Sequence, residues 1–338
     1  MNIQKSYPLK DLNTFGIDVK AQLFANIKSE EQLLSLLIDK KLKEMPKCIL
    51  GCGSNILLTQ DFAGIVIKNS IPEIKIIKQD EDYVWIKAGA GVIWHQMVLF
   101  CVERNLGGIE NLSLIPGTVG AAPIQNIGAY GQEIKDVFEY LEGLYIDSGD
   151  KKIFTGNQCK FGYRDSIFKH ELKNKFVITF LVLRLSKKPE LKLEYGTVKE
   201  ELQKLNLENF TIKNVSDVIC KIRQSKLPDP KQIANAGSFF KNPEIGEDTF
   251  LKLKKEFPAI IGYPLENKKV KLAAGWLIEQ CGWKGKRVGN TGSHSKQALV
   301  LVNYGGAKGS DILALAEQIK ESVKNKFGIK LDEEINII

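Results

Sequence analysis

The chain has 338 residues, 43% of them hydrophobic and 26% charged, which is typical of a globular protein with room for two or three domains. It lacks both the apolar segment of a signal peptide near its first residue and an apolar run long enough to span a bilayer, so we expect a cytoplasmic protein with no membrane partner. The net charge of +8 is dispersed over segments that also carry glutamates, which disfavours nucleic acid as a partner and suits a small polyanionic ligand.

Cysteine and histidine usage narrows the chemistry further. The six cysteines are scattered without a C-x-x-C pair, which predicts reduced thiols rather than disulfides. The three histidines show no metal-ligand spacing, so we expect no metal site.

The first 70 or so residues predict a small α/β unit. The run at 29–32 has the residues of a capping box and predicts a helix that continues to about Glu44. A buried strand at Lys47–Leu50, a glycine-containing loop at Gly51–Asn55 and a strand at about 65–67 follow.

Two further units are predicted along the chain. Residues 71–215 predict strands at 74–77, 83–88 and 176–185, a helix at 93–105 and a long loop at 107–131. Residues 216–327 predict helices near 216–226, 247–256 and 272–281 and a strand at 298–302. A last helix, capped by Ser310 and stopped by Gly328, and a final strand at 331–337 complete the prediction.

The most informative stretch runs from Ile115 to Tyr130, where glycines and prolines replace the residues of a regular helix or strand. Loops of this kind present backbone N–H groups to phosphate oxygens. The shorter loop at Gly51–Asn55 has the same character, although on its residues alone it is equally well a tight turn. The loop at 107–131 is too long for a simple turn, which indicates a function. The two glycine loops together suggest a diphosphate ligand that is bound from two sides. No G-x-G-x-x-G opens a helix after a strand.

Five other residues each allow a structural and a functional interpretation. From the residues alone, Arg164 favours an ion pair with the adjacent aspartate over a carboxylate clamp. Ser238 is a turn serine or a helix cap, or a nucleophile if His294 acts as its base. Glu334 reads as a solvated acid, Tyr195 as an exposed loop tyrosine, and Lys226 as a lysine that favours the C-terminal end of a helix.

Eight motifs occur in an order that is similar to one enzyme family. They lie at Asn13–Ile17, Gly51–Asn55, Ile115–Tyr130, Gly162–Ser166, Leu227–Pro230, Ala236–Pro243, Ala273–Ile278 and Gln297–Val300. Together they resemble the UDP-N-acetylenolpyruvoylglucosamine reductase family, also called UDP-N-acetylmuramate dehydrogenases, over essentially the whole chain. The segments around Tyr195 and 241–271 resemble the longer subtype, which has a tyrosine lid loop.

The resemblance implies an α+β fold. Two subdomains of the vanillyl-alcohol-oxidase-like type would bind FAD, and a C-terminal α+β domain would bind the substrate. The implied domains are 1–70, joined by the strand at 329–338, then 71–215 and 216–328.

The resemblance also implies the site. Noncovalent FAD would bind Gly51, Gly53, Ser54, Asn55, Gly117, Thr118, Gly120, Gln125, Asn126, Gly128 and Ala129. Ser238 would donate a proton to the substrate carbon, while Arg164 and Glu334 would lie at its carboxylate, with Asp332 and Glu333 as neighbours that could take the place of Glu334. Substrate contacts are implied for Tyr130, Tyr163, Tyr195, Lys226, Asn242, Tyr263, Lys271 and Gln297.

The implied reaction is the NADPH-dependent reduction of the enolpyruvyl ether of UDP-N-acetylglucosamine to UDP-N-acetylmuramate, by a monomer, for peptidoglycan synthesis and cell division. Two alternatives remain open at this point. One is another FAD-dependent oxidase or dehydrogenase of the same fold that acts on an alcohol or lactone, because a fold does not determine a function. The other is a non-catalytic nucleotide-binding protein, which would be purified without flavin.

Overall fold

A computed structural model describes residues 2–338 and divides into two compact units. The first unit contains the segments up to Tyr7, Ala21–Cys52 and Phe62–Ser225. The second contains Pro8–Lys20, Gly53–Asp61 and Lys226–Ile338. Each unit is therefore assembled from stretches that are distant in sequence, and the three-domain division remains a prediction.

The helices and strands are numbered along the chain. The α-helices are α1 Glu30–Leu37, α2 Trp94–Val102, α3 Gly156–Cys159, α4 Gly196–Gln203, α5 Ile212–Lys226, α6 Glu247–Glu256, α7 Ala274–Gln280 and α8 Gly309–Phe327. The strands are β1 Ile3–Pro8, β2 Lys20–Ile27, β3 Lys47–Leu50, β4 Ile56–Leu57, β5 Phe62–Asn69, β6 Ile74–Gln79, β7 Tyr83–Gly89, β8 Gly128–Ala129, β9 Gln132–Glu133, β10 Phe138–Tyr145, β11 Lys151–Thr155, β12 Phe176–Ser186, β13 Ala234–Ser238, β14 Glu244–Gly246, β15 Gly262–Leu265, β16 Lys269–Leu272, β17 Arg287–Val288, β18 Thr291–Ser293, β19 Val300–Asn303 and β20 Asn336–Ile337.

The first unit contains two main sheets. The smaller has the order β1-β2-β5-β3, in which β5 runs parallel to both β2 and β3. The larger is antiparallel in the order β11-β10-β12-β7-β6. Its strand β12 is a nearly continuous apolar run that is buried over most of its length, as expected of a central strand covered on both faces.

Helix α2 packs its apolar residues into the core beneath the larger sheet. Trp94, Met97, Val98 and Cys101 are all fully buried, and they recur at helical spacing. Burying an apolar side chain of this size contributes about 1.5–3 kcal/mol, so this face fixes α2 firmly. The turn that leads into α2 is thereby a rigid support for whatever packs against it.

The second unit contains smaller sheets. One is antiparallel in the order β13-β19-β18-β17, another is antiparallel in the order β14-β16-β15, and β20 pairs with β4 in parallel. The long helix α8 buries a stripe of apolar residues, which includes Ile312, Leu315 and Ile319. Strand β13 and its continuation carry the residues that concern the site.

Several predicted elements are confirmed at or near their bounds. Strand β3 and helix α6 have the predicted limits, and β12, α5 and α7 lie within a few residues of theirs. Gly328 ends α8 with φ of 68°, as predicted from its ability to adopt a left-handed conformation.

The limits of two helices were predicted wrongly. Helix α1 ends at Leu37 instead of about Glu44, because Asp39 accepts the Lys41 N–H at 2.8 Å and forms a turn that competes with the helix. Its cap at Ser29 is confirmed, since the hydroxyl accepts the Gln32 N–H.

The N-terminal end of α8 also differs from the prediction. The helix begins at Gly309 with Lys308 as its N-cap residue, whose N–H is bonded to Asp311 at 2.8 Å, so Ser310 is not the cap. A Cβ at Gly309 would lie 1.9 Å from the Leu58 carbonyl oxygen, and this close packing sets where the helix starts. The final strand is shorter than predicted, with a pair at Asn336–Ile337 and one isolated bridge at Glu333.

Candidate active site

The glycine loop at 115–131, called here the flavin loop after its expected ligand, is fixed to the turn between β7 and α2. The N–H of Val119 donates to Val92 at 2.8 Å, and that of Gly120 donates to Ala90 at 2.9 Å. A Cβ at Gly120 would lie 2.5 Å from the Ala90 Cβ, so only glycine permits this approach. The loop is therefore seated on the rigid end of α2.

The first unit brings Gly51, at the start of the shorter loop, against the flavin loop. A Cβ on Gly51 would lie 2.4 Å from the Thr118 hydroxyl oxygen, which is too close for any side chain. Thr118 itself is buried. The two stretches that the sequence suggested as a pair therefore meet in this unit.

Several residues in the flavin loop and at its entrance adopt positive φ angles. Gly117 has φ of 124°, which suits glycine, whereas Leu114, Asn126 and Tyr130 have φ of 58°, 41° and 50°. A residue with a Cβ reaches this region at a cost of about 1–2 kcal/mol, so the surrounding contacts must hold it there. Gln125, which ends a turn before Asn126, is half-buried.

Asn126 acts as an internal brace. It is fully buried, and its Nδ2 donates to Glu133 and to the Gly162 carbonyl, both at 2.9 Å. Its Oδ1 accepts the Lys135 N–H at 3.2 Å. These contacts commit the side chain to the protein, so a ligand contact from Asn126 would have to come from its backbone.

Arg164 projects from the turn that Asn126 braces. It has φ of 52°, and its Nη2 donates to the Gly128 carbonyl at 2.7 Å. Gly128 permits this approach, because a Cβ there would lie 3.2 Å from the guanidinium. The neighbouring Asp165 carboxylate contacts His170, with both oxygens 2.9 Å from Nε2. The guanidinium also lies 5.6 Å from the Tyr163 ring centroid.

Tyr130 and Tyr195 lie together at the end of the flavin loop. Their ring centroids are 5.5 Å apart in an edge-to-face arrangement, and Tyr195 is 51% exposed. Helix α4, which follows Tyr195, packs on α5 through a small core of its own. Both readings of Tyr195, an exposed loop residue and a lid residue, are compatible with this position.

Sequence reasoning missed two polar residues that organise this region. The buried Asn111 donates to the carbonyls of Tyr130 and Lys192, at 2.8 and 2.9 Å, and so joins the flavin loop to the segment before Tyr195. Arg223, on α5, interacts with the Tyr130 phenol, and burial lowers the pKa of its guanidinium. Only its place one helical turn before Lys226 could have drawn attention to Arg223.

The second unit holds the rest of the shorter loop. A Cβ at Gly53, where φ is 63°, would lie 2.0 Å from the Leu12 carbonyl oxygen. Thr14 donates its N–H to the Gly53 carbonyl at 3.1 Å, and its own carbonyl accepts the Asn235 N–H at 3.0 Å. The half-buried Ser54 follows Gly53. This chain of contacts joins the loop to strand β13.

Ser238 ends β13 at a bulge. The register with β19 shifts between Asn235 and Ser238, and Gly237, with φ of 74°, donates its N–H to the Asn235 side chain at 3.0 Å. Bulges commonly redirect a side chain next to a site. Because Ser238 lies in a strand, it is not a helix cap.

His294 is poorly placed to act as a base for Ser238. Ser238 pairs with Val300 of β19, and the His294 N–H bonds to the Val300 carbonyl from the other side. The two residues are thus separated by one intervening strand, or about 10 Å. In addition, burial lowers the pKa of His294, and its Nδ1 accepts the Lys296 N–H. The nucleophile interpretation therefore has no support.

The segment after Leu331 pairs with the continuation of β13. The Glu334 N–H donates to Phe239 at 2.8 Å, and Glu333 forms a bridge with Phe240. The Glu333 carboxylate accepts from Lys320 of α8 at 2.8 Å. Glu334 follows at a bend and is half-buried.

Asn55 links the shorter loop to this segment. Its Nδ2 donates to the Glu334 carbonyl at 3.4 Å, and its carbonyl accepts the Asn336 N–H at 3.1 Å. Loop Gly53–Asn55, Ser238 and Glu334 therefore lie in one connected part of the second unit.

The expected substrate residues of the second unit fall into three places. Asn242 accepts the Ala274 N–H at 2.9 Å at the start of α7, and Gln297 lies beside Gly275 of the same helix. Lys271 is opposite both Tyr263 and Glu244 in the three-stranded sheet. Lys226, the last residue of α5, is exposed, as the helix-end interpretation predicts.

The site residues suit a diphosphate better than a cation. Between Ile115 and Gly131 there is no acidic side chain, and the guanidinium charge of Arg164 contributes to lowering the pKa of Arg223, which places two positive charges near one another. Residues 2–338 hold no cluster of three or more potential metal ligands. Within the same range, no helix combines the length and apolar character needed to cross a bilayer. The glycine-rich backbone of the loop and its positive surroundings therefore fit an anionic ligand such as a diphosphate.

Comparison with known proteins supports this assignment. One matching family model is described as an FAD binding domain, over residues 21–154, and another as the C-terminal domain of UDP-N-acetylenolpyruvoylglucosamine reductase, over residues 229–338. Proteins named UDP-N-acetylenolpyruvoylglucosamine reductase are 48% identical in Flavobacterium johnsoniae and in Amoebophilus asiaticus, covering 100% of both chains. The protein of that name in Pseudomonas aeruginosa is 46% identical, over 100% of this chain and 99% of the relative.

A solved structure shows the same fold. The crystal structure of the reductase of that name from Thermus caldophilus superposes with a TM-score of 0.68 at 24% identity, covering 100% of this chain and 99% of the other. With the family models, it confirms the predicted α+β class, a flavin-binding part followed by a C-terminal domain.

Proposed function

This chain belongs to the UDP-N-acetylenolpyruvoylglucosamine reductase family, and from that premise we propose how its own residues carry out the reaction. It is an FAD-dependent oxidoreductase of peptidoglycan precursor synthesis, which reduces the enolpyruvyl ether of UDP-N-acetylglucosamine to UDP-N-acetylmuramate with NADPH. One hydrogen bond carries the residue assignment. The Glu334 N–H bonds to the carbonyl of Phe239, the residue that follows Ser238.

The flavin loop and the shorter loop would hold the cofactor. Gly51, which packs against Thr118, and Gly120 lie too close to their neighbours for any side chain, and this would leave backbone groups to face the pyrophosphate. When bound, FAD takes hydride from NADPH and supplies it to the substrate. Neither glycine loop contains a histidine that could attach the flavin, and we propose that FAD is held noncovalently.

Arg164 would bind the substrate carboxylate. A guanidinium can hold a carboxylate through two parallel hydrogen bonds, and Arg164 is oriented in advance by its bond to Gly128. As the vinyl group accepts hydride, negative charge builds up on the carboxylate. A fixed positive group stabilises that charge without having to reorganise.

Glu334, rather than Asp332 or Glu333, would be the acid next to the reacting carbon. Glu333 is occupied by Lys320 on the α8 side, and the Asp332 carbonyl accepts the Lys241 N–H at 2.9 Å in an exposed position. Glu334 is half-buried and tied on both sides of its backbone by Phe239 and Asn55. These contacts, together with the engagement of Glu333 by Lys320, support Glu334 as the acid at the site.

Ser238 would protonate the substrate carbon after hydride addition, which gives the lactyl ether. A serine hydroxyl is a weak acid, so its use depends on accurate placement. The bulge held by Asn235 and the positive φ of Gly237 provide that placement.

The remaining residues would hold the UDP-sugar. We assign substrate contacts to Tyr130, Tyr163 and Tyr195 in the first unit and to Lys226, Asn242, Tyr263, Lys271 and Gln297 in the second. Two of these tyrosines, Tyr195 and Tyr263, are about half exposed, so a ligand can cover them. We also propose that the enzyme works as a cytoplasmic monomer that supports cell wall growth and division.

Two half-reactions test the function. The purified protein should be yellow, and anaerobic NADPH should bleach it. Addition of the enolpyruvyl sugar should restore the colour and yield UDP-N-acetylmuramate. A flavin that is bleached by an alcohol or lactone in place of NADPH, and is not reoxidised by this sugar, would instead indicate the alternative class of flavin oxidases and dehydrogenases.

A further inference from the structure

Leu114, at the entrance to the flavin loop, adopts an unfavourable backbone conformation. Its φ is 58°, in the left-handed region, where a leucine costs about 1–2 kcal/mol. It stands two residues before Pro116, and Ile115 between them is confined to an extended conformation by that proline. The direction in which the chain enters the loop thus depends on what holds Leu114.

His95 holds the N–H of Leu114. The Leu114 N–H donates to His95 Nδ1 at 3.0 Å. His95 is the second residue of α2, whose first residue, Trp94, donates its backbone N–H to Gly117 at 3.0 Å and its indole N–H to Leu112 at 2.9 Å. Because Nδ1 accepts a hydrogen bond, the ring must be neutral, with its proton on Nε2.

Arg223 holds the carbonyl of the same residue. Its Nε donates to the Leu114 oxygen at 3.3 Å, from helix α5. Both backbone polar groups of Leu114 are therefore bonded to side chains, one from α2 and one from α5. These side chains restrain a residue that would otherwise relax to negative φ.

We propose that His95 and Arg223 are positioning residues that clamp Leu114 and so fix the flavin loop, and that protonation of His95 opens this clamp and releases flavin. The proposal rests on the proposed role of the loop in binding FAD. A protonated imidazole has two N–H donors and no acceptor, so it cannot receive the Leu114 N–H.

The surroundings of His95 keep it neutral at neutral pH. Burial lowers its pKa from 6.5, and the charge of Arg223 lowers it further. Cys220 of α5, whose Sγ is 3.9 Å from Nε2, is an uncharged neighbour, since burial raises the pKa of its thiol. The clamp is thus complete above pH 6.5 and is lost as the pH falls through the lowered pKa of His95.

The test measures flavin release from the holoenzyme, without NADPH or sugar. The rate of FAD dissociation, followed by the recovery of free flavin fluorescence after dilution, is recorded between about pH 5 and 8. The native protein should release flavin faster as the pH falls. In His95→Asn, whose Oδ1 can replace Nδ1 but does not titrate, release near pH 7 should stay within about threefold of native and the acid step should disappear.

Three variants complete the design. His95→Leu should release flavin about tenfold faster at neutral pH, since a backbone N–H loses its partner. Arg223→Lys, which removes the Nε donor but keeps a positive charge, should also release it faster. His294→Asn is the matched control, because His294 is another buried histidine whose Nδ1 accepts a backbone N–H, and it should retain the acid step.

Two outcomes would overturn the clamp. One is an unchanged acid step in His95→Asn, and the other is native flavin release in both His95→Leu and Arg223→Lys at neutral pH. If His95→Leu fails to fold, the pH profile of His95→Asn decides alone. A native protein that carries no flavin would overturn the proposed function itself, and with it this inference.

Discussion

The flavin loop and the three-stranded sheet at 244–272 differ sharply in how they are held. Buried Asn111 bonds to the backbone of the flavin loop at Tyr130, buried Asn126 bonds the loop to Gly162, and glycines pack it closely. The three-stranded sheet has strands of three or four residues, and Tyr263 on it is 46% exposed. The tightly held flavin loop suits a cofactor that stays bound. The more exposed three-stranded sheet suits a substrate that enters and leaves in each turnover.

The largest effect is expected at Ser238, which is fixed as tightly as the flavin loop although it lies in the other unit. In Ser238→Ala, NADPH should bleach the flavin at close to the native rate. Reoxidation by the enolpyruvyl sugar should slow by about 10²–10⁴, because only the later step needs the proton. Stopped-flow measurement of the two half-reactions separates them.

The controls for Ser238 come from the same position and the same sheet. Ser238→Cys keeps a protic group and should recover part of the rate. Ser293→Ala removes another hydroxyl of this sheet, which is bonded to the Ala298 carbonyl at 3.0 Å, and should lower stability without changing either half-reaction. Equal slowing of both half-reactions in Ser238→Ala would refute the proton-donor role.

Next in size are the two charged groups. Arg164→Ala and Glu334→Gln should retain flavin and lose about 10²–10³ in kcat with the enolpyruvyl sugar, the usual loss when one fixed electrostatic partner is removed. The matched control is Glu333→Gln, which loses its ion pair with Lys320 but should keep its activity. A fully active Glu334→Gln together with an inactive Glu333→Gln would reverse the assignment.

The free energy of unfolding of an Asn126 variant tests how firmly the flavin loop is held. Asn126→Ala leaves buried partners without their bonds and should lower the free energy of unfolding by about 2–4 kcal/mol, with faster flavin release. The control is Asn174→Ala. Asn174 also has a positive φ, 57° compared with 41° at Asn126, but its side chain is exposed. The free energy of unfolding is measured by denaturant titration. Equal losses in the two variants would show that the loss comes from the positive-φ backbone and not from the hydrogen bonds of Asn126.

The smallest effect is expected in the loosely held sheet. Tyr263→Phe removes one hydroxyl from a half-exposed ring, so it should raise KM for the sugar by less than about tenfold and leave kcat and thermal stability near native. Steady-state kinetics and a melting curve measure these changes. A large fall in stability would mean that this sheet is as tightly fixed as the flavin loop, and the contrast between the regions would be lost.

The same contrast explains what the sequence could predict. The flavin loop was predictable because glycine and proline mark it locally, and Gly120 is indeed required by its packing on Ala90. The strands at 244–272 were missed, since short half-exposed strands carry little periodic signal. The cap at Ser310 was predicted wrongly, because packing of Gly309 on Leu58 decides where α8 begins.

Long-range polar contacts were the other gap. Arg223 bonds to Leu114, which is 109 residues away in sequence, and Asn111 bonds to Lys192, 81 residues away. No sequence motif around Arg223 or Asn111 predicts the residue that it contacts. Local patterns predict which segments carry chemistry, whereas the side chains that brace those segments become visible only when the fold brings distant residues together.

The pairing of Asn55 with Asn336 has a consequence for synthesis on the ribosome. These residues are 281 positions apart, so at roughly 5–20 residues per second the first waits about a quarter of a minute or longer for its partner to be made. The long stretch Phe62–Ser225 is translated within that interval and can fold ahead of the second unit. Asn55 can therefore make its contacts with Glu334 and Asn336 only after the C-terminal segment has been synthesised.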